Sequence, residues 1–341
     1  DFTDAVTLTI GTNPGGGTLS GTTTVAAVAG VANFSTLSID KSGTGYRLAA
    51  TAGSLTRTSG AFSITPGTAT QLGFTVQPAT TTAGAVITPS VRVAGLDAFG
   101  NTATSFTGTI TIAIGNNPGA GVLAGTKVIT ATAGVAVFSN LRIDRAGSGY
   151  TLAATADGFT GVTSAAFDIV TAAVTQLGFT TQPITTTAGV TLSAVQVAAQ
   201  DSVGNTVSSF TDAISLTIST NPGGGTLSGT TTVAAVGGVA TFSTLSIDKS
   251  GTGYRLGATS GSLTRTSGAF SITAAPATRL AVTVSPLTTT AGATISPAVR
   301  VAAIDDFGNT ATGFTGLVTI AIGTNPAAGT LSGTTTVAAV N

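Results

Sequence analysis

A chain of 341 residues is long enough for several separate cores, yet only 7% of it is charged, against roughly 25% in an ordinary soluble domain, and its mean hydropathy is +0.49. The 12 basic and 12 acidic residues cancel and form no basic run, which excludes the attraction that nucleic acid or an anionic membrane surface needs, and polar Thr, Ser and Gly interrupt every apolar stretch before the ~18 residues of a membrane-spanning helix. Cys, His, Met, Trp and Glu are absent, which removes disulfides, zinc ligands and most acid–base or nucleophilic groups; the chain is expected not to be an enzyme, with no catalytic, cofactor-binding or metal-binding residue assigned and no cofactor.

In their place stands threonine, roughly one residue in five, whose β-branched stem favours strands while its hydroxyl keeps an outer face wet. A repeat of 104 residues orders the whole chain: Phe2, Phe106, Phe210 and Phe314 recur in matching contexts, as do Asn13, Asn117, Asn221 and Asn325 before proline, and the three tyrosines Tyr46, Tyr150 and Tyr254. The first and third copies resemble each other more than the second, since TNPGGGTLSGTTTVAAV occurs at Thr12 and again at Thr220, which suggests a two-module super-repeat. In the second copy, alternating apolar residues predict strands at 72–76, 91–93, 110–114, 128–129, 135–143, 150–154 and 167–169, about seven in all. Gly, Pro, Asn and Asp separate them at DAFGN, GNNPGAG, DRAGSG and ADGFTG, and no stretch carries a helical stripe. The expected fold is all-β, a tandem array of seven-stranded antiparallel sandwiches. Repeat phase divides the chain into a partial module at 1–66 lacking its first strands, full modules at 67–171 and 172–274, and a partial module at 275–341 lacking its last strands. We therefore expect a window of a much longer array, with any export signal outside it or removed.

Four polar or aromatic features invite a functional reading. The D-x-x-G-N turns pair Asp97 with Asn101, Asp201 with Asn205, and Asp305 with Asn309, Asp306 standing beside the last pair. Oxygen ligands on a tight loop could hold calcium, but that ion takes six to eight oxygens and few carboxylates are present, so the expectation is a turn closed by Asp with Gly at positive φ; calcium stays open. Asp40, Asp144 and Asp248 are expected to close local turns in the same way. The glycine-rich GGGTLSG at Gly15 to Gly21 and GVLAGTK at Gly121 to Lys127 lack the Gly-Lys-Ser/Thr order of a phosphate loop and read as links between strands. Lys41 becomes Arg145 in the next copy and Lys127 aligns with Thr23 and Thr231, so lysine is expected on a solvated face rather than in a Ser-Lys pair. The tyrosines of G-x-G-Y-x-L are expected to be buried, with the hydroxyl satisfying a backbone group. The sequon at Asn33 has Val137 and Thr241 as its equivalents and carries no weight, whereas the dense threonine faces are candidates for O-glycans.

The succession L-x-F-x-x-Q-P, T-T-A-G, D-x-x-G-N-T, N-P-G-G-G-T-L-S-G-T, G-V-A-x-F-S-x-L-x-I-D and G-x-G-Y-x-L-x-A-T closely resembles the bacterial immunoglobulin-like (invasin-like) repeats of large secreted surface proteins and adhesins, over the whole chain. That resemblance implies an immunoglobulin-like sandwich used as a spacer or fibre element, with no site to carry over. The function expected is a structural repeat of an extracellular bacterial filament, fibre or stalk, at the cell surface, whose partners are neighbouring repeats or copies of itself. The alternative is an adhesin region that binds a glycan or a host surface. Repetition favours spacing, because a recognition surface seldom needs identical copies unless it works by avidity.

Overall fold

A computed structural model describes residues 2–340. The described residues form strands and turns without a helix, so none of them belongs to a helix long and apolar enough to cross a membrane. The chain divides into two compact units, Asp1–Thr171 and Ala172–Asn341.

In the first unit, the sandwich between Gln71 and Val170 is built from two sheets. One places Val91–Leu96 between Gln71–Val76 and Val135–Phe138, all antiparallel. The other runs Val128–Thr130, Thr109–Ile114, Leu152–Thr155 and Val162–Thr163, and its continuation pairs Gly147–Tyr150 with Phe167–Val170. Thr81–Thr82 then joins Phe167–Val170 in parallel, so the opening segment serves both sheets, an arrangement typical of immunoglobulin-like sandwiches. The alternation in TITIAI explains the facing: Ile110 and Ile112 are buried, while Thr109 and Thr111 point to solvent. Val91, Val93, Phe138, Leu152 and Ile169 complete a continuous apolar centre.

The strands are shorter and more numerous than the seven expected. The stretch 135–143 breaks after Phe138, because Arg142–Ile143 leaves the first sheet to pair with Leu123–Ala124. Asn140 holds the crossing by accepting the Thr126 N–H at 2.8 Å, and Leu141 drops into the core. The stretch 150–154 likewise changes partners at Thr151, and buried Ser164 repairs the step: its Oγ accepts the Leu152 N–H at 2.9 Å and donates to the Ala165 carbonyl at 2.8 Å. Thr81–Thr82, Leu123–Ala124 and Val162–Thr163 are too short to show alternation in the sequence.

In the second unit, the sandwich between Gln176 and Thr273 repeats this plan around Leu177, Val195, Ile214, Phe242, Leu256 and Ile272, with Gly251–Ser260 unbroken. Residues 2–66 and 279–340 carry subsets of the same strands: Ala5–Thr12 pairs with Thr24–Ala26 and Gly43–Ala52, and Arg279–Val284 with Arg300–Ile304. Hydroxyl pairs cross neighbouring strands on the outer faces, Thr7 with Thr24 at 2.9 Å, Thr109 with Thr130 at 3.2 Å and Ser215 with Thr232 at 2.8 Å.

Candidate functional site

The D-x-x-G-N turn follows the strand Val91–Leu96 and closes on itself, with the Asp97 N–H donating to Asn101 O at 2.9 Å and the Gly100 N–H to Asp97 O at 3.0 Å; Gly100 has φ +80°. The Asp97 carboxylate is buried and surrounded by donors. Its Oδ1 accepts the N–H groups of Phe99 and Asn101 at 3.0 and 2.9 Å, its Oδ2 accepts the Gly67 N–H at 2.9 Å, and the Asn101 amide reaches both oxygens. Asp201 and Asp305 repeat the pattern with Ala172 and Ala275 in place of Gly67. Gly67, Ala172 and Ala275 are the residues at which the repeat phase begins each module, so the carboxylate pins the entering chain to the end of the second major strand.

Burial pushes the Asp97 carboxyl up, but donation from the Asn101 side chain and from the Gly67, Asn101 and Phe99 N–H groups outweighs it and holds the group down at about 2. Asp201 and Asp305 are lowered by the same balance. A calcium ion at this turn would have to displace N–H donors that already satisfy the Asp97, Asp201 and Asp305 carboxylates. Because the folded value lies below the usual ~3.9 of an unfolded aspartate, the stabilisation is complete above about pH 4 and is lost as pH falls towards about 2. A urea midpoint that holds steady from about pH 7 to 5 and drops steeply below about pH 4 is the expected result; a flat profile down to about pH 2 would contradict it.

Asn101 also looks outward, to residues about sixty positions earlier. Its Nδ2 donates to the Asp40 carbonyl at 2.9 Å and its Oδ1 accepts the Ser42 N–H at 3.0 Å, while Lys41 Nζ donates to the Phe99 carbonyl at 2.6 Å. Asn309 makes the same pair of bonds with Asp248 O and Ser250 N, each at 2.9 Å, and Lys249 Nζ donates to Phe307 O. The primary amide behaves as one rung of a β-ladder, supplying a donor and an acceptor to main-chain groups two residues apart. Within the second unit the Phe307 ring lies on Gly189, where a Cβ would come within 2.2 Å of it; Gly189 also has φ +76°. Phe99 is 61% exposed.

The tripeptide that Asn101 grips is held from inside as well. Tyr46, with no exposed surface, donates its hydroxyl to the Lys41 carbonyl at 2.9 Å; Tyr150 does so to Arg145 O and Tyr254 to Lys249 O, each at 2.9 Å. Asp40 accepts the Thr18 N–H at 2.6 Å, and Asp144 and Asp248 accept Val122 and Thr226 N–H groups. These aspartates therefore close the Asn-Pro-Gly loop lying 22 residues upstream, not a local turn. Asn13 closes that loop itself, exchanging two bonds with Gly17 at 2.7 and 2.8 Å. The loop's glycine backbone lies close against the tyrosine hydroxyl, Gly119 and Gly121 beside Tyr150, and Gly223 and Gly225 beside Tyr254; burial pushes both phenols up.

The structure thus brings together D-x-x-G-N, D-K-S-G-T-G-Y and N-P-G-G-G, which the sequence presents as separate turns. Lys41 and Lys249 are not merely solvated, since both ammonium groups cap a carbonyl of the following module. The signal available in the residues is that these polar turns recur at fixed spacing without any hydrophobic reason to do so.

No family model matches the chain, and no curated protein matches it. Among solved structures it is similar to domains 1-6 of the surface layer protein SbsC, at 12% identity over 92% of this chain and 45% of that one, with a TM-score of 0.25. It is also similar to the titin Ig tandem domains A164-A165, at 12% identity over 61% and 100% of the two chains with a TM-score of 0.27, and to the Yersinia pseudotuberculosis adhesin InvE, at 14% identity over 59% and 58% with a TM-score of 0.25. The chain spans less than half the length of the SbsC fragment. The immunoglobulin-like assignment rests on the sheet topology, in which the opening segment of each complete sandwich pairs antiparallel in one sheet and parallel in the other.

Proposed function

We propose that the chain is a structural repeat of an extracellular or cell-surface fibre or stalk, in which sandwiches on either side of the module boundaries at 66/67 and at 274/275 hold each other at a fixed attitude. The observation that carries this reading is the amide of Asn101 and of Asn309, each inserted between a carbonyl and an N–H of the preceding module. A flexible string of domains has no need for such a group, whereas a rod whose modules touch only their neighbours depends on it. The reading includes no catalysis. The polar side chains of the turns are occupied with each other and with backbone, and among the described residues no buried side-chain nitrogen or oxygen lacks a partner. The tyrosines, which a glycan-binding surface would display, have no exposed area.

Small-angle scattering on the chain tests the proposal. Asn101→Ala combined with Asn309→Ala is expected to leave each sandwich folded but to broaden the distribution of interatomic distances and lower the maximum dimension. A scattering profile identical to that of the unaltered chain would overturn it. So would specific binding of a glycan by the isolated chain that survives both substitutions, which would favour the adhesin reading.

A further inference from the structure

One hairpin is built differently in the two complete sandwiches. In the second unit the strands Gly251–Ser260 and Leu263–Thr266 pair as far as Ser260 and Leu263, so Gly261 and Ser262 make the whole turn, with Gly261 at φ +54°. Residues 43–58 repeat this tight form, with Ala52 opposite Leu55. In the first unit the corresponding ladder stops at Ala154 and Val162, which leaves 156–161 as a loop. Asp157 and Gly158 stand in that loop, and theirs is the one Asp-Gly step in the sequence.

Both residues are exposed. Gly158 has φ +79° and nothing within 4 Å of where a Cβ would stand, and the Phe159 N–H closes the turn by donating to Ala156 O at 3.2 Å. The Asp157 carboxylate has no hydrogen-bond partner among the described residues. Its neighbours in sequence are held: Asp168 accepts the Ser148 hydroxyl at 2.6 Å and the Gly149 N–H at 2.8 Å, and Asp144 accepts the Val122 N–H. A segment with exposed backbone and few contacts opens at little cost, and a glycine after an aspartate offers its amide nitrogen with no Cβ in the way.

We propose that Asp157–Gly158 is a site of spontaneous backbone isomerisation, which puts isoaspartate into the first complete sandwich, whereas the Gly261-Ser262 turn of the second has no carboxyl that could react. The Gly158 nitrogen bonds to Asp157 Cγ, and the carboxyl hydroxyl leaves as water with the proton that the nitrogen gives up, closing a five-membered succinimide. Water then adds to one of the two ring carbonyls. Breaking the bond from nitrogen to Cγ restores aspartate; breaking the original peptide bond routes the main chain through Cβ and Cγ and leaves the carboxylate on Cα. The water lost is regained, so the net change is an isomerisation that needs no enzyme or co-reactant.

Isoaspartate lengthens the main chain by one methylene inside the turn. The bond between Phe159 and Ala156 spans that point, and the Phe159 ring packs edge-to-face on Phe106, centroids 5.3 Å apart, at the border of the apolar centre. The extra atom displaces Phe159 from Phe106 and frays the strand Val162–Thr163 that follows.

Prolonged storage of the full chain in warm neutral buffer tests this, followed by unfolding and digestion with a protease that cuts before aspartate but not before isoaspartate. Cutting between Ala156 and Asp157 is expected to fall steadily, while cutting before Asp168, Asp201 and Asp212 holds. An isoaspartyl-specific carboxyl methyltransferase should label the same material. Because the fold leaves the loop open, the rate in the native chain is expected to lie within a few-fold of that in the free peptide Thr155 to Thr160. Gly158→Ala should slow the change several-fold, and Asp157→Ser, which leaves Gly158 its backbone freedom, should abolish the label. In the aged chain, hydrogen exchange should quicken at the Ser164 N–H, bonded to Leu152 O, and stay unchanged at its counterpart Ser267, bonded to Leu256 O. A native rate orders of magnitude below that of the peptide, or equal isoaspartate at the other aspartates, would overturn the site. Unchanged exchange at Ser164 in fully isomerised chain would overturn the fraying.

Discussion

Replacing Tyr150 by alanine is expected to cost the sandwich around it about 4 kcal/mol, enough to unfold a module of ordinary stability. The ring has no exposed surface and packs against Phe167 with centroids 6.2 Å apart, so its removal opens a large cavity. It also strips the Arg145 carbonyl of its donor. Tyr150→Phe separates the two contributions: it keeps the ring and should cost about 1–3 kcal/mol. Gly119→Ala attacks the same point from the loop side, because its Cβ would stand 2.4 Å from both the tyrosine hydroxyl and the Ala146 carbonyl. Denaturant unfolding followed by tyrosine and far-ultraviolet signals measures all three. A Tyr150→Ala chain as stable as the original would mean that the tyrosine is not a pillar of the fold.

The second large effect is expected at Asp305. Its carboxylate accepts from the N–H groups of Ala275, Phe307 and Asn309 and from the Asn309 amide, and it has no exposed surface. Asp305→Ala leaves these buried donors facing a cavity and should cost about 3 kcal/mol or more, concentrated in the segment that begins at Ala275. Because the same asparagine reaches Asp248 O and Ser250 N, the joint should loosen along with the turn. Asp305→Asn is expected to restore little, since one of its two carboxylate positions becomes an N–H₂ pointed at other donors. Amide hydrogen exchange at Ala275, Phe307, Asn309 and Ser250 reports the outcome, and protection unchanged in Asp305→Ala would refute the account.

Much of the fold is legible in the residues because the alternation in TITIAI and VRVAG is a direct record of which face is buried. The tyrosine is legible for a similar reason: a lone large ring in a nearly aromatic-free sequence, repeated at one phase, has few places to go. What periodicity could not show is a strand changing sheets at Phe138 or Thr151, because the inward residues continue in phase while the partners change. The joint is hidden for a different reason. From sequence alone Asp97 and Asn101 read as one turn and Asp40 and Lys41 as another, so local chemistry offers a sufficient account of each. Only the fold shows that one amide serves both, with partners 61 positions apart. The glycine rule is half visible: the N-P-G-x-G loops need Gly at 15, 119 and 223, where a Cβ would strike the tyrosine hydroxyl, whereas Ala327 stands at the equivalent position of the fourth copy.

Every atom that Asn101 and Asn309 touch in the preceding module belongs to the main chain, and both lysines likewise cap a main-chain carbonyl. The amide's part of the grip is therefore indifferent to the side chains of the module it holds, although a lysine of that module and, in the second unit, Gly189 add to the joint. If the chain is such an array, whole repeats can be gained or lost by unequal recombination without refitting the amide's part of a joint, because the same carbonyl and the same N–H meet Asn101 in the first unit and Asn309 in the second. Length becomes a property that selection can adjust in single steps, while point substitutions accumulate on the outer faces at little risk to the junctions.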